Sequence, residues 1–162
     1  VYDSEYSRHK FLIHDYFIAK SIDKVKPGGI VAVVTSKGTL DKLNPTARKY
    51  MAERAELLGA IRLPNTAFRQ TANTEAVTDI LFVKKRAEKI SDTSDIEWLG
   101  TGKTEDGFEV NNYFIAHPEM VLGMFAKETV LYGSEDITVT HDDRYHGEAI
   151  SKHIEHKPHN GA

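Results

Sequence analysis

The segment that most constrains the fold is a short apolar run that directly follows a Pro-Gly-Gly turn. Residues 26–36 read KPGGIVAVVTS, and the run itself occupies residues 30–36. It is rich in β-branched side chains and too short for a typical helix, so it predicts a strand. Because the run is apolar at nearly every position, we expect burial on both faces, as in a parallel sheet covered by helices.

Helical patterns lie on both sides of this strand. Residues 8–26 carry apolar side chains at helical spacing, and the Pro-Gly-Gly turn predicts the end of that helix. Residues 45–58, PTARKYMAERAELL, predict a second helix, with Asn44 as its N-cap and Gly59 as its C-terminal stop.

Two further apolar segments predict strands, at residues 60–64 and 76–85. The order helix–strand–helix–strand–loop–strand indicates an α/β sheet. Three strands make a thin sheet for such apolar segments, so we expect further strands outside this chain.

The two halves of the chain differ in net charge and in composition. Residues 1–90 hold 16 Lys and Arg against 10 Asp and Glu, whereas residues 91–162 hold 5 against 14. The first half therefore suits contact with phosphates better than the second, although both can simply be solvated surfaces. We expect two parts, an α/β domain over residues 1–88 and an acidic linker with a small α+β appendage over residues 89–162.

Within the appendage, Asn111 or Asn112 can cap a short helical turn, and residues 130–140 predict a strand or hairpin. The last residues are polar, and they predict a flexible tail with at most a short helix over 147–156.

Composition excludes several classes of site. The chain has no cysteine, so disulfides and thiolate metal sites are excluded, and a cytoplasmic location is expected. It has no signal peptide and no apolar run of about 20 residues, so no membrane span is expected. His153, His156 and His159 step by three, but Pro158 and Gly161 argue against a helix that would align them, so no metal site is predicted.

The loop between the second and third predicted strands holds one large apolar residue in polar surroundings. Residues 63–85 read LPNTAFRQTANTEAVTDILFVKK, and Phe68 is the aromatic of this loop. Taken in order, the motifs resemble the carboxy-terminal half of the catalytic domain of N6-adenine DNA methyltransferases. The resemblance is to the type found in type I restriction–modification systems and in helicase–methylase fusions of phages and mobile elements. The matching elements are Lys26-Pro27-Gly28-Gly29, residues 31–36, 61–64, 68–71 and 80–84, and the later segment NNYFIAHPEMVLGMF.

Two motifs of that family are absent from the sequence. There is no glycine-rich cofactor turn after a first strand, and no Asn/Asp-Pro-Pro-Tyr/Phe motif, because the five prolines all stand apart. The resemblance therefore implies a partial Rossmann-like methyltransferase sheet, made of its last strands and flanking helices. It also implies that S-adenosylmethionine binds the full-length protein through an amino-terminal part missing here, and that this chain alone binds no cofactor and is inactive.

The resemblance implies a role for the Phe68 loop. A base must leave the duplex to be methylated at its exocyclic amine, and an aromatic ring can stack on it. Phe68 matches the family position that stacks on the extruded adenine; the alternative is a plug that packs on the sheet edge. Arg69, Gln70 and Thr71 are candidates for DNA contact, although such residues also simply favour turns.

Other candidates lie at strand ends and on a helix. Thr35, Ser36 and Lys37 follow a buried strand at its carboxyl end, where open α/β sheets bind ligands, so they can line the target pocket or merely form a turn. A basic patch that faces the DNA backbone is predicted from Lys84, Lys85 and Arg86 at a strand end, with Arg48, Lys49 and Arg54 on the second helix. The alternative is an ordinary solvated surface, since charged residues are common on exposed helix faces.

Three functions fit these observations. The first is the target-recognition part of a DNA adenine-N6 methyltransferase that is inactive alone, with DNA and the missing amino-terminal part as partners. The second is a non-catalytic DNA-binding module, and the third is a scaffold segment of a helicase–methylase protein whose acidic half docks another part.

Overall fold

The computed structural model describes residues 13–68 and 76–142, which form a mixed α/β structure. The helices are α1 (Ile13–Lys24), α2 (Gly38–Asp41), α3 (Thr46–Arg54) and α4 (Asn112–Ala116). The strands are β1 (Ile30–Ser36), β2 (Ala55–Leu63), β3 (Thr78–Lys85), β4 (Thr101–Lys103), β5 (Glu109–Asn111), β6 (Met124–Thr129) and β7 (Glu135–Thr140). Single 3₁₀ turns occupy Glu97–Leu99, Pro118–Met120 and Leu131–Gly133.

The three predicted strands form one sheet in the order β1-β3-β2. β3 is antiparallel to both neighbours, so β1 and β2 run in the same direction. Ser36 and Leu63, the last residues of β1 and β2, both pair with Thr78. The carboxyl ends of these two strands therefore lie at the same edge of the sheet.

The predicted position of β1 was wrong in one respect. We expected burial on both faces and parallel neighbours, but β1 pairs antiparallel with β3 and lies at the side of the sheet. Ile30 and Val34 are each 61% exposed. Exposed and less exposed residues alternate along β1, so Ile30 and Val34 lie on the same face of the strand, and that face is open to solvent.

The second predicted helix is shorter than its sequence pattern indicates. α3 ends at Arg54, and the chain continues directly as β2 from Ala55, where a helix through residue 58 was predicted. Leu57 pairs with Val83 of β3, and the register shifts at Leu58 before Gly59 pairs with Phe82. Pairing with β3 thus overrides the good helix propensity of the segment.

The first helix and its stop were predicted correctly within the described residues. Ile18, Ala19 and Ile22 are buried on one face of α1, and residues 8–12 of the predicted helix lie outside the described residues. Gly28 has a φ of 79°, a conformation that favours glycine. Its N–H donates to the Lys85 carbonyl at 2.8 Å, which joins the turn to the end of β3.

The hydrophobic core includes side chains from both sides of residue 88. Leu81 and Val83 of β3 belong to the same buried cluster as Trp98, Phe114 and Val139. The division into parts at residue 88 stays a prediction.

The second half forms two antiparallel pairs, β4–β5 and β6–β7. Of the strand or hairpin predicted over residues 130–140, the structure forms one strand, β7, whose hairpin partner β6 precedes the predicted segment. Of the two predicted caps, Asn111 is the one observed, because its Oδ1 accepts the N–H of Tyr113 at 2.9 Å. The tail helix predicted over 147–156 lies outside the described residues. No helix in the described ranges is long and apolar enough to cross a membrane.

Candidate nucleic-acid interface

The residues predicted to line the target pocket lie together at the carboxyl ends of β1 and β2. Thr35 is buried and its hydroxyl shares a 2.8 Å hydrogen bond with the hydroxyl of Thr39, whereas Ser36 is exposed. The N–H of Lys37 donates to the carbonyl of Val77 at 3.2 Å, just before β3 begins. Thr35 therefore holds the turn, and Ser36 and Lys37 are the members of this group that face outward or toward other elements.

Lys37 forms an ion pair across the sheet edge. Its Nζ donates to Asp136 Oδ1 of β7 at 2.7 Å. Burial raises the pKa of the Asp136 carboxyl, but hydrogen bonds from Lys37 and from the Ile137 N–H outweigh burial and hold that pKa below its ordinary value. Lys37 thus has a protein partner in the structure.

Phe68 is the last described residue on the β2 side of its loop. Residues 65–68 form a turn in which the N–H of Ala67 donates to the carbonyl of Pro64 at 3.0 Å. The Phe68 side chain is half-buried, and both its stacking role and the alternative plug role stay predictions. Arg69, Gln70 and Thr71 lie outside the described residues.

Lys84 and Lys85 lie at the other end of the sheet. Lys84 pairs with Ile30, the first residue of β1, whereas Phe68 follows the last residues of β2. Six residues of strand separate the two ends, a distance of roughly 20 Å. The structure therefore does not bring these lysines together with the Phe68 loop.

The two lysines differ in their surroundings. Lys85 is half-buried, and its Nζ donates to the carbonyl of Asp23 at 2.9 Å, near the C-terminus of α1. A cation is favourable at that end of a helix. Lys84 is exposed and lies opposite the exposed Glu56 of β2.

The predicted helical part of the basic patch was wrong for Arg48. This side chain is fully buried, and its Nε and Nη2 donate to the Leu99 carbonyl at 2.9 and 2.8 Å. Its Nη1 donates to the carbonyl of Lys42 at 2.8 Å. Arg48 therefore joins the end of α2 to the 97–99 turn and is not a DNA contact. Lys49 is exposed, and Arg54 lies over the ring of Tyr50 at 3.4 Å.

A buried charge network that the sequence analysis missed lies near the carboxyl end of β2. Arg62 of β2 donates to both oxygens of Asp79 of β3 and to both oxygens of Asp41, at 2.7 to 3.0 Å. Its guanidinium also lies over the ring of Phe114 at 4.4 Å. Burial lowers the pKa of Arg62, but Asp79 and Asp41 outweigh burial and raise that pKa above its ordinary value, so the guanidinium stays charged.

The same network holds the second half of the chain. The N–H of Asn111 donates to Asp41 Oδ1 at 3.0 Å, and Asn111 Nδ2 donates to the carbonyls of Leu40 and Trp98 at 2.7 and 2.8 Å. The available sequence signal was one Arg and one Asp at inward positions of otherwise apolar strands.

Within the described residues, no group of three His, Cys, Asp or Glu side chains is placed to hold a metal ion.

Comparison with known proteins agrees with the motifs. The sequence profile of the N-6 DNA methylase family matches residues 8–118, more than half of the chain, and the chain belongs to this family. It is 35% identical over 80 residues to the "Defense against restriction protein B" of Escherichia phage P1. That match covers 46% of this chain and only 4% of the phage protein. No solved structure matches the chain.

Proposed function

We propose that this chain is the target-recognition side of an S-adenosylmethionine-dependent DNA adenine-N6 methyltransferase. The observation that carries the proposal is that the ends of β1 and β2 and the Phe68 turn meet at one edge of the sheet, in a chain of the N-6 DNA methylase family. Open α/β sheets bind their ligands at such an edge. Phe68 stacks on the flipped adenine there, and Ser36 lines the pocket.

The sheet is the last part of a Rossmann-like methyltransferase sheet, and it continues beyond β1. Support comes from one face of β1, on which Ile30 and Val34 are both exposed. On the neighbouring α1, Ile13 and Phe17 are 67% and 59% exposed. A further strand and its covering helix, from a segment that carries the cofactor turn and the Pro-Pro motif, would bury these side chains.

The division of chemistry follows from this arrangement. The Pro-Pro segment accepts hydrogen bonds from the adenine amine and aligns its nitrogen with the cofactor methyl group. S-adenosylmethionine, when bound to that segment, would supply the methyl group that replaces a proton on the adenine amine. Residues of this chain bind and orient the base, so the chain alone transfers no methyl group.

Calorimetry and methylation assays test the proposal together. We expect no heat of S-adenosylmethionine binding to this chain, and N6-methyladenine in duplex DNA when the chain is joined to its cofactor-binding segment. The product is measured by mass spectrometry of the digested nucleosides. Tight cofactor binding by the chain alone, or 5-methylcytosine as the product, would overturn the proposal.

A non-catalytic DNA-binding module is the second candidate, favoured by the absence of both family motifs from these residues. In that case the joined protein binds DNA with an affinity that falls steeply with salt, yet forms no methyladenine. Neither DNA binding nor methylation would be expected of a scaffold segment.

A further inference from the structure

The β6–β7 hairpin, residues 124–140, lies against the strand ends from which the Phe68 loop begins. The N–H of Leu122 donates to the carbonyl of Arg62 at 2.9 Å, and Val121 forms a parallel bridge with Arg62. A Cβ atom on Gly123 would meet the Thr140 carbonyl oxygen at 2.3 Å, so only glycine lets the hairpin close there. The base of the hairpin is therefore fixed to the end of β2.

The hairpin also holds the first stem of the loop. The N–H of Asn65 donates to the carbonyl of Val139 at 2.7 Å, and Asn65 Nδ2 donates to Thr138 Oγ1 at 3.2 Å. Thr138 and Val139 are 3% and 1% exposed. Asn65 is thus bound to a buried part of β7, three residues before Phe68.

The second stem, just before β3, is held through Lys37. The Val77 carbonyl accepts the N–H of Lys37 at 3.2 Å, and the Lys37 side chain donates to Asp136 of β7 at 2.7 Å. One strand of the hairpin therefore reaches both stems, directly at Asn65 and through Lys37 at Val77.

These contacts bear on the position of the stacking ring. A side chain that orients a reacting group must be held within about 0.5 Å of its productive position, and loops meet this requirement less well than strands do. The strand pair β6–β7 supplies rigid support to the two described stems of the Phe68 loop.

We propose that the β6–β7 hairpin is a positioning element of the methyltransferase, and that Asn65 and Lys37 are the residues through which it places Phe68 against the extruded adenine. This inference rests on the proposed function. It gives the acidic second half of the chain a role in base binding, beyond that of an appendage.

The test uses the chain joined to its cofactor-binding segment, with Asn65→Ala and Thr138→Val as the two single variants. Each variant removes either the donor or the acceptor of the Asn65–Thr138 hydrogen bond. We expect the single-turnover rate of methylation to fall roughly two- to tenfold. The fluorescence gain of 2-aminopurine at the target base should fall as well, while KM for DNA stays unchanged. The double variant should be no slower than either single variant, because both act through one bond.

Matched variants separate positioning from general stability. Thr138→Ser keeps the hydroxyl and should keep the rate, and Lys127→Met should change nothing, since it removes only the exposed 3.5 Å pair with Glu135 on the same hairpin. A lower melting temperature in the two single variants, with the methylation rate and 2-aminopurine signal unchanged, would overturn the positioning role. Failure of the unchanged joined protein to methylate DNA would overturn the proposed function itself, and the two failures are distinguishable because only the second occurs without a substitution.

Discussion

Arg62 and Asp79 form a fully buried, doubly hydrogen-bonded pair across β2 and β3. Nε donates to Oδ1 and Nη2 donates to Oδ2, each at 2.8 Å, and neither side chain is exposed to solvent. At the other edge of the guanidinium, Nη1 and Nη2 donate to the two carboxylate oxygens of Asp41 at 2.7 and 3.0 Å. Planar guanidinium and carboxylate groups match in this geometry, which fixes the register of β2 against β3 near the carboxyl end of β2.

Removal of Arg62 should be strongly destabilising. Arg62→Met leaves the carboxylates of Asp79 and Asp41 without their cation, and breaking a buried pair in this way costs about 3–5 kcal/mol of unfolding free energy. Adding Asp79→Leu should restore part of the loss, because it removes one of the buried carboxylates. Urea denaturation followed by circular dichroism measures both effects.

A surface pair provides the control for that experiment. Lys89→Met removes an ion pair of 3.7 Å with Glu53, in which Lys89 is 57% exposed, so a change below about 0.5 kcal/mol is expected. If Arg62→Met cost no more than Lys89→Met, the network would not stabilise the fold.

Asn111 of the second half makes direct hydrogen bonds to α2, to the Leu40 carbonyl and to Asp41 Oδ1. Asn111→Ala deletes the N-cap of α4 and leaves the carbonyls of Leu40 and Trp98 without their donor. The loss of the cap and the unpaired carbonyls together should lower the unfolding free energy by about 2–4 kcal/mol. Denaturation curves of the variant and the unchanged chain give the difference.

The neighbouring Asn112 is the matched control. It is half-buried, and its Nδ2 makes one hydrogen bond of 3.2 Å to the Glu97 carbonyl, so Asn112→Ala should cost at most about 1 kcal/mol. If the two variants lost the same free energy of unfolding, the network around Asn111 would stabilise the fold no more than a single hydrogen bond does.

The cap at Asn111 could be predicted from the sequence because its partner, the Tyr113 N–H, is only two residues away. The partners of Arg48 and Arg62 are distant in sequence: Leu99 lies 51 residues from Arg48, and Asp41 lies 21 residues from Arg62. No local pattern specifies such pairs, so the sequence predicts an exposed helical cation at Arg48. Contacts of this kind depend on how the elements pack, which periodicity alone does not determine.

The strands also differ in how far their local composition predicts them. β1 and β3 were predicted because their apolar, β-branched composition is local, whereas the first residues of β2 have helical composition and form a strand only by pairing with β3. The placement of Ser36 and Lys37 at the carboxyl end of β1 followed from the predicted extent of that strand. The hairpin contacts to Asn65 and Lys37 did not, because they link residues 73 and 99 positions apart.

Lys84 and Lys85 should differ as DNA contacts. We expect Lys84→Met to reduce the slope of log affinity against log salt by about 0.9, as loss of one phosphate contact does. Lys85→Met should leave the slope unchanged and lower stability instead, since its ammonium is bound to the Asp23 carbonyl. Fluorescence anisotropy of labelled duplex DNA at several salt concentrations measures the slopes, and equal slopes for Lys84→Met and the unchanged protein would remove Lys84 from the interface.

Phe68 has two predicted roles, and the choice of substitution separates them. Phe68→Ala in the joined methyltransferase should lower the rate of methylation roughly 5- to 100-fold, because stacking of a base on an aromatic ring contributes about 1–3 kcal/mol. Phe68→Tyr keeps the aromatic face and should retain most of the rate. Phe68→Leu keeps apolar bulk without the face, so it should be nearly as slow as Phe68→Ala.

The plug role gives the opposite order for leucine. A ring that only covers the sheet edge can be replaced by another apolar side chain of similar size at a cost below about 1.5 kcal/mol of stability. Phe68→Leu would then methylate at the rate of the unchanged enzyme, and Phe68→Ala would act through a lower melting temperature. Single-turnover rates and thermal unfolding, measured on the same three variants, therefore decide between a ring that holds the adenine and a ring that covers the strands.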